Sequence, residues 1–364
     1  MASAAGAEGR RFDNINLLRA FAALSVVVYH VIEHGRWKDY PTDGPVSVFR
    51  LGWYGVDLFF VISGFVIAYS ALLLYRADPG SFRGSYWMRR LTRILPLYLL
   101  TLFLYLILFT PRWDAREWAL QLSSHLTFTH SIWGKTHGAI DPPNWSLAVE
   151  MHFYLAIALA IRWIDRAPAW KILAYGIPIA WAFRAAIFYR YGGGETGLLF
   201  VKVSQMPGVL DEFAAGIFLA KLVLDGRRQW FAHAWPWIGT AVAMGYVAMG
   251  LYWPYADYWP HANMVTFWRT PFALFLMCVV GSAIALSQGI ADRWLRPVNY
   301  LGETSYGIYL WHMFAVEIIV RRLGWIELPA LLAVLAVTIA LSALSWHAFE
   351  KPLMRRARAS KSLA

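Results

Sequence analysis

A single cysteine, Cys278, occurs in 364 residues, and only 15% of the side chains are charged. One thiol inside an apolar run excludes a disulfide framework or a cysteine-built metal centre within one chain. Soluble domains average about 25% charged residues, so this chain lacks the polar side chains to coat a soluble particle of its size. Acidic groups are scarcest: 22 Asp and Glu against 33 Lys and Arg leave a formal charge of +11. The basic residues are scattered between apolar segments, which suits loops facing anionic headgroups and argues against nucleic acid as a partner. The sequence has no Gly-rich phosphate loop, no dinucleotide fingerprint and no His-Glu-x-x-His pair, so no metal is expected. It shows no internal repeat and no low-complexity segment. The first apolar run keeps Arg19 inside it and is followed by no small-residue cleavage site, so the N-terminus is expected to be retained.

What is abundant is apolar: 59% of residues are hydrophobic, with 20 Trp and 19 Tyr that suit interfacial belts. Apolar stretches of about 17 to 25 residues predict helices over Asn14–Glu33, Gly52–Tyr75, Ile94–Thr110, Trp145–Trp163, Ile172–Tyr189, Gln205–Leu224, Trp235–Trp253, Thr270–Gln288, Ser305–Val320 and Leu328–Phe349. The expected fold is an all-α polytopic membrane protein of about ten transmembrane helices. Residues 1–13 form a cytoplasmic tail, 14–349 the membrane domain and 350–364 a basic cytoplasmic tail. Arg76–Arg93 and Lys351–Lys361 each hold five basic residues, and the positive-inside bias puts both, with both termini, in the cytoplasm. The longest outer loop, Pro111–Asn144, carries His125, His130 and His137 and is long enough to lid a site.

Ionisable groups at bilayer depth cost about 2.5 to 3.5 kcal/mol on insertion scales, which makes them candidates for function. Arg19 and His30 lie eleven steps apart, within about 20° of one helix face and separated by a rise of about 16 Å. A snorkelling Arg and an interfacial His are the bland reading. Asp57 and Glu150 enter the membrane from the same side and to similar depth, so His30, Asp57 and Glu150 are expected to converge on one layer, where a carboxylate orients a histidine base. Alternatively, a carboxylate pairs with Arg184 or caps a helix. Ser305, Tyr309 and His312 share one face at i, i+4 and i+7, with His312 expected to line the same cavity as Trp145 and Ser146. Asp211 and Glu212 have an open role. Arg90 and Arg93, one turn apart, can grip an anionic group or simply anchor the chain to the inner leaflet.

These residues resemble the acyltransferase-3 family of membrane-bound O-acyltransferases that acylate cell-surface and exported glycans. The resemblance rests on Arg19 and His30, on Gly55-Val56-Asp57-Leu58-Phe59-Phe60-Val61-Ile62-Ser63-Gly64-Phe65, and on Arg90-Leu91-Thr92-Arg93 before Ile94-Leu95-Pro96. It continues through Trp145-Ser146-Leu147 with Glu150, and Ser305-Tyr306-Gly307-Ile308-Tyr309-Leu310-Trp311-His312. It implies transfer of an acyl group, usually acetyl, from cytoplasmic acyl-CoA to a hydroxyl of a glycan, lipid-linked oligosaccharide or similar acceptor at the outer face. His30 would be the base or a transient acyl carrier, and Arg19, Arg90 and Arg93 would hold acetyl-CoA or another short acyl-CoA. A stand-alone protein of the bacterial inner membrane, surrounded by lipids, is then expected. The competing class is a proton-coupled transporter with His30, Asp57, Glu150 and His312 as its relay.

Overall fold

The computed structural model describes residues 12–109, 112–255, 258–286 and 295–359, and among these every regular element is helical. α1 (Asp13–His34) is followed by a 3₁₀ segment (Pro45–Tyr54) that runs into α2 (Gly55–Ala77). α3 (Phe82–Leu108) leads to a short surface helix α4 (Ala115–Leu126), and α5 (Asn144–Arg166) turns tightly into α6 (Ala169–Tyr191). Then come α7 (Thr196–Val203), α8 (Leu210–Leu224), α9 (Trp235–Tyr252) and α10 (Arg269–Leu286), the last entered through a π turn at Met264–Trp268. α11 (Arg296–Glu303), α12 (Ser305–Val316), α13 (Glu327–Ser345) and α14 (Lys351–Ala359) complete the chain.

Every one of the ten predicted spans coincides with a helix. Seven helices among the described residues are long and apolar enough to cross a membrane. The 15-residue α8, α9 and α12 are the predicted spans outside that set. One boundary differs in a way that matters: α3 begins at Phe82, twelve residues before the expected start. Charge density hid its first turns, because arginine is a good helix former however poorly it partitions into lipid. Arg90 and Arg93 therefore sit on the helix rather than ahead of it. Residues 1–11 and 360–364, most of the predicted N-terminal tail and the last third of the predicted C-terminal one, lie outside the described residues, and Lys351–Ala359 of the latter is helical.

Helices in lipid gain little from hiding apolar surface from one another, so close backbone approach must hold the bundle together. α2 and α8 meet at Gly64 and Gly216, where a Cβ on Gly216 would fall 2.1 Å from the Val61 carbonyl oxygen. α1 packs on Gly55 of α2, whose absent Cβ leaves room for the Ala22 carbonyl oxygen 2.4 Å from where it would stand. α1, α2, α3, α5 and α12 thereby surround a common cavity.

Candidate functional site

The cavity has a volume of about 120 Å³ and extends along α2 from Val56 to Ile67, a rise of about 16 Å. Arg19 from α1 and Arg90 and Arg93 from α3 line it, with Glu150 and Tyr154 from α5 facing them and Ser146 and Tyr309 also in its wall. Arg90 donates to the Ser70 hydroxyl and lies over the rings of Tyr86 and Tyr154 at 5.6 and 5.8 Å, but its buried Nε has no partner. Among the described residues, the one hydrogen-bonding contact of Arg93 is to the Met354 sulfur, at 4.0 Å. Arg19 has neither hydrogen bond nor ion pair among the described residues. Glu150 accepts from Ser63 Oγ at 2.7 Å and Tyr154 OH at 2.9 Å. Three guanidinium groups thus face one carboxylate in a confined apolar setting, an arrangement complementary to a polyanionic ligand.

Tyr309 joins this cavity to a pair of histidines. Its hydroxyl meets Ser146 Oγ at 2.8 Å, its ring lies 5.6 Å from that of His312, and its carbonyl oxygen is 2.6 Å from His312 Nδ1. A carbonyl can only accept, so His312 Nδ1 is the donor and His312 Nε2 is left as an acceptor. His30 Nδ1 faces two acceptors, that Nε2 at 3.2 Å and the Val26 carbonyl at 3.0 Å. Its proton therefore sits on Nδ1, and the Nε2 lone pair is free to act as base or nucleophile. His34 stacks on the His30 ring at 5.8 Å and receives a hydrogen bond from Arg321, so the pair lies toward the end of α1 that carries His34.

The expected convergence of His30 with two carboxylates is corrected by these contacts. Asp57 is buried and bonded to Arg269, which also meets Glu212 at 3.2 Å. Asp211, not Asp57, is the partner of Arg184, at 2.9 Å. Asp57 is turned toward α8 and α10 by its bond to Arg269, and Glu150 meets α2 at Ser63, six residues further along that helix than Asp57. Glu150 faces the arginines. Of His30, Asp57, Glu150 and His312, the two histidines are in direct contact among the described residues. Trp145 and His312 do not line the cavity, although Ser146 and Tyr309 do. Consecutive helical residues point about 100° apart, so Trp145 faces away, packing on His137 at 5.4 Å and Phe200 at 5.2 Å.

Sequence reasoning missed Arg269, Ser63, Ser70 and Tyr154. Tyr154 carried a readable signal, since it stands at i+4 from Glu150. The histidines between α3 and α5 belong to packing. His125 and His130 stack with centroids 4.1 Å apart, and burial holds His125 down to about 3 and His137 down to about 4. Burial likewise raises the Asp141 carboxyl well above the ordinary aspartate range.

Comparison with known proteins adds an independent observation. A family model described as an acyltransferase domain matches residues 12–347. A provisionally named peptidoglycan O-acetyltransferase of Bacillus subtilis is 26% identical over 94% of the chain and 55% of its own length. A provisionally named membrane-bound transacylase of Komagataeibacter xylinus is 27% identical, covering 84% of the chain and 78% of that protein. The peptidoglycan O-acetyltransferase of Listeria monocytogenes is 22% identical, covering 94% of the chain and 56% of that protein. The chain thus spans little more than half the length of the Bacillus and Listeria relatives. No solved structure matches it.

Proposed function

The chain belongs to this acyltransferase family, and on that premise we propose that it is a membrane O-acyltransferase drawing on cytoplasmic acyl-CoA, with acetyl the first acyl group to test. The observation that carries the reading is the cavity wall of Arg19, Arg90 and Arg93, whose guanidinium groups form no ion pair among the described residues. A CoA phosphate offers each of them the charge-assisted, bidentate geometry that arginine favours. The cavity's length of about 16 Å lets the pantetheine arm run from the arginines toward Tyr309 and the histidine pair.

His30 Nε2 then takes the proton of an acceptor hydroxyl as its oxygen attacks the thioester carbonyl. The C–S bond breaks, and the departing thiolate recovers that proton from the imidazolium. A positioned base contributes about 100 to 10,000-fold to such a step. In the covalent variant, Nε2 attacks the thioester first, CoA leaves as the thiol, and the acyl-imidazole is opened by the hydroxyl. Tyr309 stands between cavity and histidines, so its side chain must turn aside for the thioester to reach Nε2.

The named activities of the Bacillus and Listeria relatives favour a glycan hydroxyl as acceptor, with a lipid-linked oligosaccharide or another exported molecule meeting the same chemical requirement. The Lys/Arg bias favours ten crossings with both termini inside a bacterial plasma membrane, which puts the arginines near the donor and His30 near the acceptor. The test is turnover of labelled acetyl-CoA by the purified protein in lipid nanodiscs. Turnover that disappears in His30→Ala supports the proposal, and a wild-type protein that turns over no acyl-CoA overturns it. Exchange of label between acetyl-CoA and free CoA without acceptor marks the acyl-histidine route.

A further inference from the structure

The hairpin between α5 and α6 carries a second site, remote in character from the cavity. Arg162 and Arg166 stand one turn apart on the last turns of α5, and Lys171 on the first turns of α6 faces the same recess, whose volume is about 420 Å³. None of the three has an ion pair among the described residues. No acid lines the recess, and Asp165, beside it in sequence, is already taken: it accepts from Arg76 at 2.6 Å, and Arg76 also meets Asp225 at 2.7 Å. The recess therefore keeps its positive charge. Trp163 and Trp170, 46% and 61% exposed, flank it as side chains of the headgroup region do.

Trp163 is also the upper wall of an apolar groove of about 440 Å³ between α5 and α6, with Ile157 and Ala160 on one side, Ile172 and Ile179 on the other and Ala214 and Ile217 of α8 beneath. From Trp163 to Phe153, its far end on α5, the rise is about 15 Å, half of a hydrocarbon core of about 30 Å. A cationic recess thus opens directly into an apolar trough one leaflet deep. Neither half alone names an occupant; together they have the polarity, order and length of a phospholipid.

The geometry points to a site for one anionic phospholipid, its phosphate held by Arg162, Arg166 and Lys171 and one alkyl chain lying in the α5/α6 groove. The site touches neither Arg90 and Arg93 nor the histidine pair, and it holds whatever reaction the cavity performs. It places the α5/α6 hairpin against the leaflet that carries the anionic lipid, and through α5 it bears on Glu150 and Tyr154.

The test releases the full-length protein from nanodiscs of phosphatidylcholine with a minor share of phosphatidylglycerol and counts retained lipid by native mass spectrometry. Wild type should keep one phosphatidylglycerol in preference to phosphatidylcholine by about tenfold or more, as several basic groups at a surface imply. Arg162→Gln/Arg166→Gln/Lys171→Gln, all near the surface, should lose that preference, and Ala160→Trp should lower retention of both lipids by filling the groove. Millimolar inorganic phosphate should leave the bound lipid in place. Equal phosphatidylglycerol retention by wild type and the triple variant overturns the proposal. So does displacement by phosphate alone, which would make the recess a site for free phosphate.

Discussion

Arg184 donates to the Thr266 and Gly208 carbonyls, to both oxygens of Asp211 and to the Thr270 hydroxyl, and is fully buried. Arg19, at comparable distance from a helix end, donates to nothing among the described residues and faces a cavity. The contrast extends to their surroundings. Arg184 and Arg269 lie with Asp57, Asp211 and Glu212 in one network joining α2, α6, α8 and α10, whereas Arg19, Arg90 and Arg93 line a cavity whose one carboxylate, Glu150, already accepts two hydroxyl hydrogen bonds. A buried charge must be paired and hydrogen-bonded to persist. For Arg184 and Arg269 the closed network meets that need within the protein, and the cavity leaves it to a ligand. Rarity of charge in a membrane helix therefore marks both a structural keystone and a binding site, and only the partner list separates them.

The largest expected effect separates chemistry from binding within the open cluster. His30→Ala should lower acyl transfer by about 100 to 10,000-fold while acetyl-CoA still binds, as read by turnover and equilibrium binding on one preparation. In the closed network, Asp211→Ala should instead cost about 3 to 5 kcal/mol of stability by stranding a buried guanidinium. Thermal melting in detergent checks this, and the folded fraction should keep its donor affinity. A smaller loss, about 1 to 3 kcal/mol, is expected for Gly216→Ala from overpacking against α2, again with donor affinity retained.

How much of this was legible follows the same division. The positions of all ten spans came from hydropathy, and Arg19, Arg90, Arg93, Glu150, Ser146 and Tyr309 were singled out before any contact was known. Asp57 shows where that reading stops. Its place on the second helix followed from hydropathy, but its partner Arg269 lies 212 positions away, and no spacing rule reaches across that distance. Trp145 and Ser146 adjoin in sequence yet face different surroundings, because which face of α5 meets the cavity depends on how α3 and α12 pack around it.

The smallest effect concerns the segment between α3 and α5. Folding holds His125 and His137 neutral down to about 3 and about 4, whereas an unfolded histidine protonates near about 6.5. Between those values the unfolded chain binds more protons, so stability should fall as the pH is lowered from about 6.5 toward about 4. Asp141, raised by burial, opposes that slope by taking up a proton in the folded state. His137→Gln should flatten the acid side of a melting-temperature profile while leaving neutral-pH stability nearly unchanged.

The most direct test of the contrast is an acetyl-CoA binding isotherm in nanodiscs for wild type and Arg90→Gln/Arg93→Gln, with melting followed on the same samples. Saturable binding by wild type, weakened at least about tenfold in the double variant by the loss of charge-assisted bonds at an unchanged melting temperature, is the predicted result. Equal affinity in the two proteins, or no binding by wild type, would contradict the assignment of the unpaired arginines to the donor.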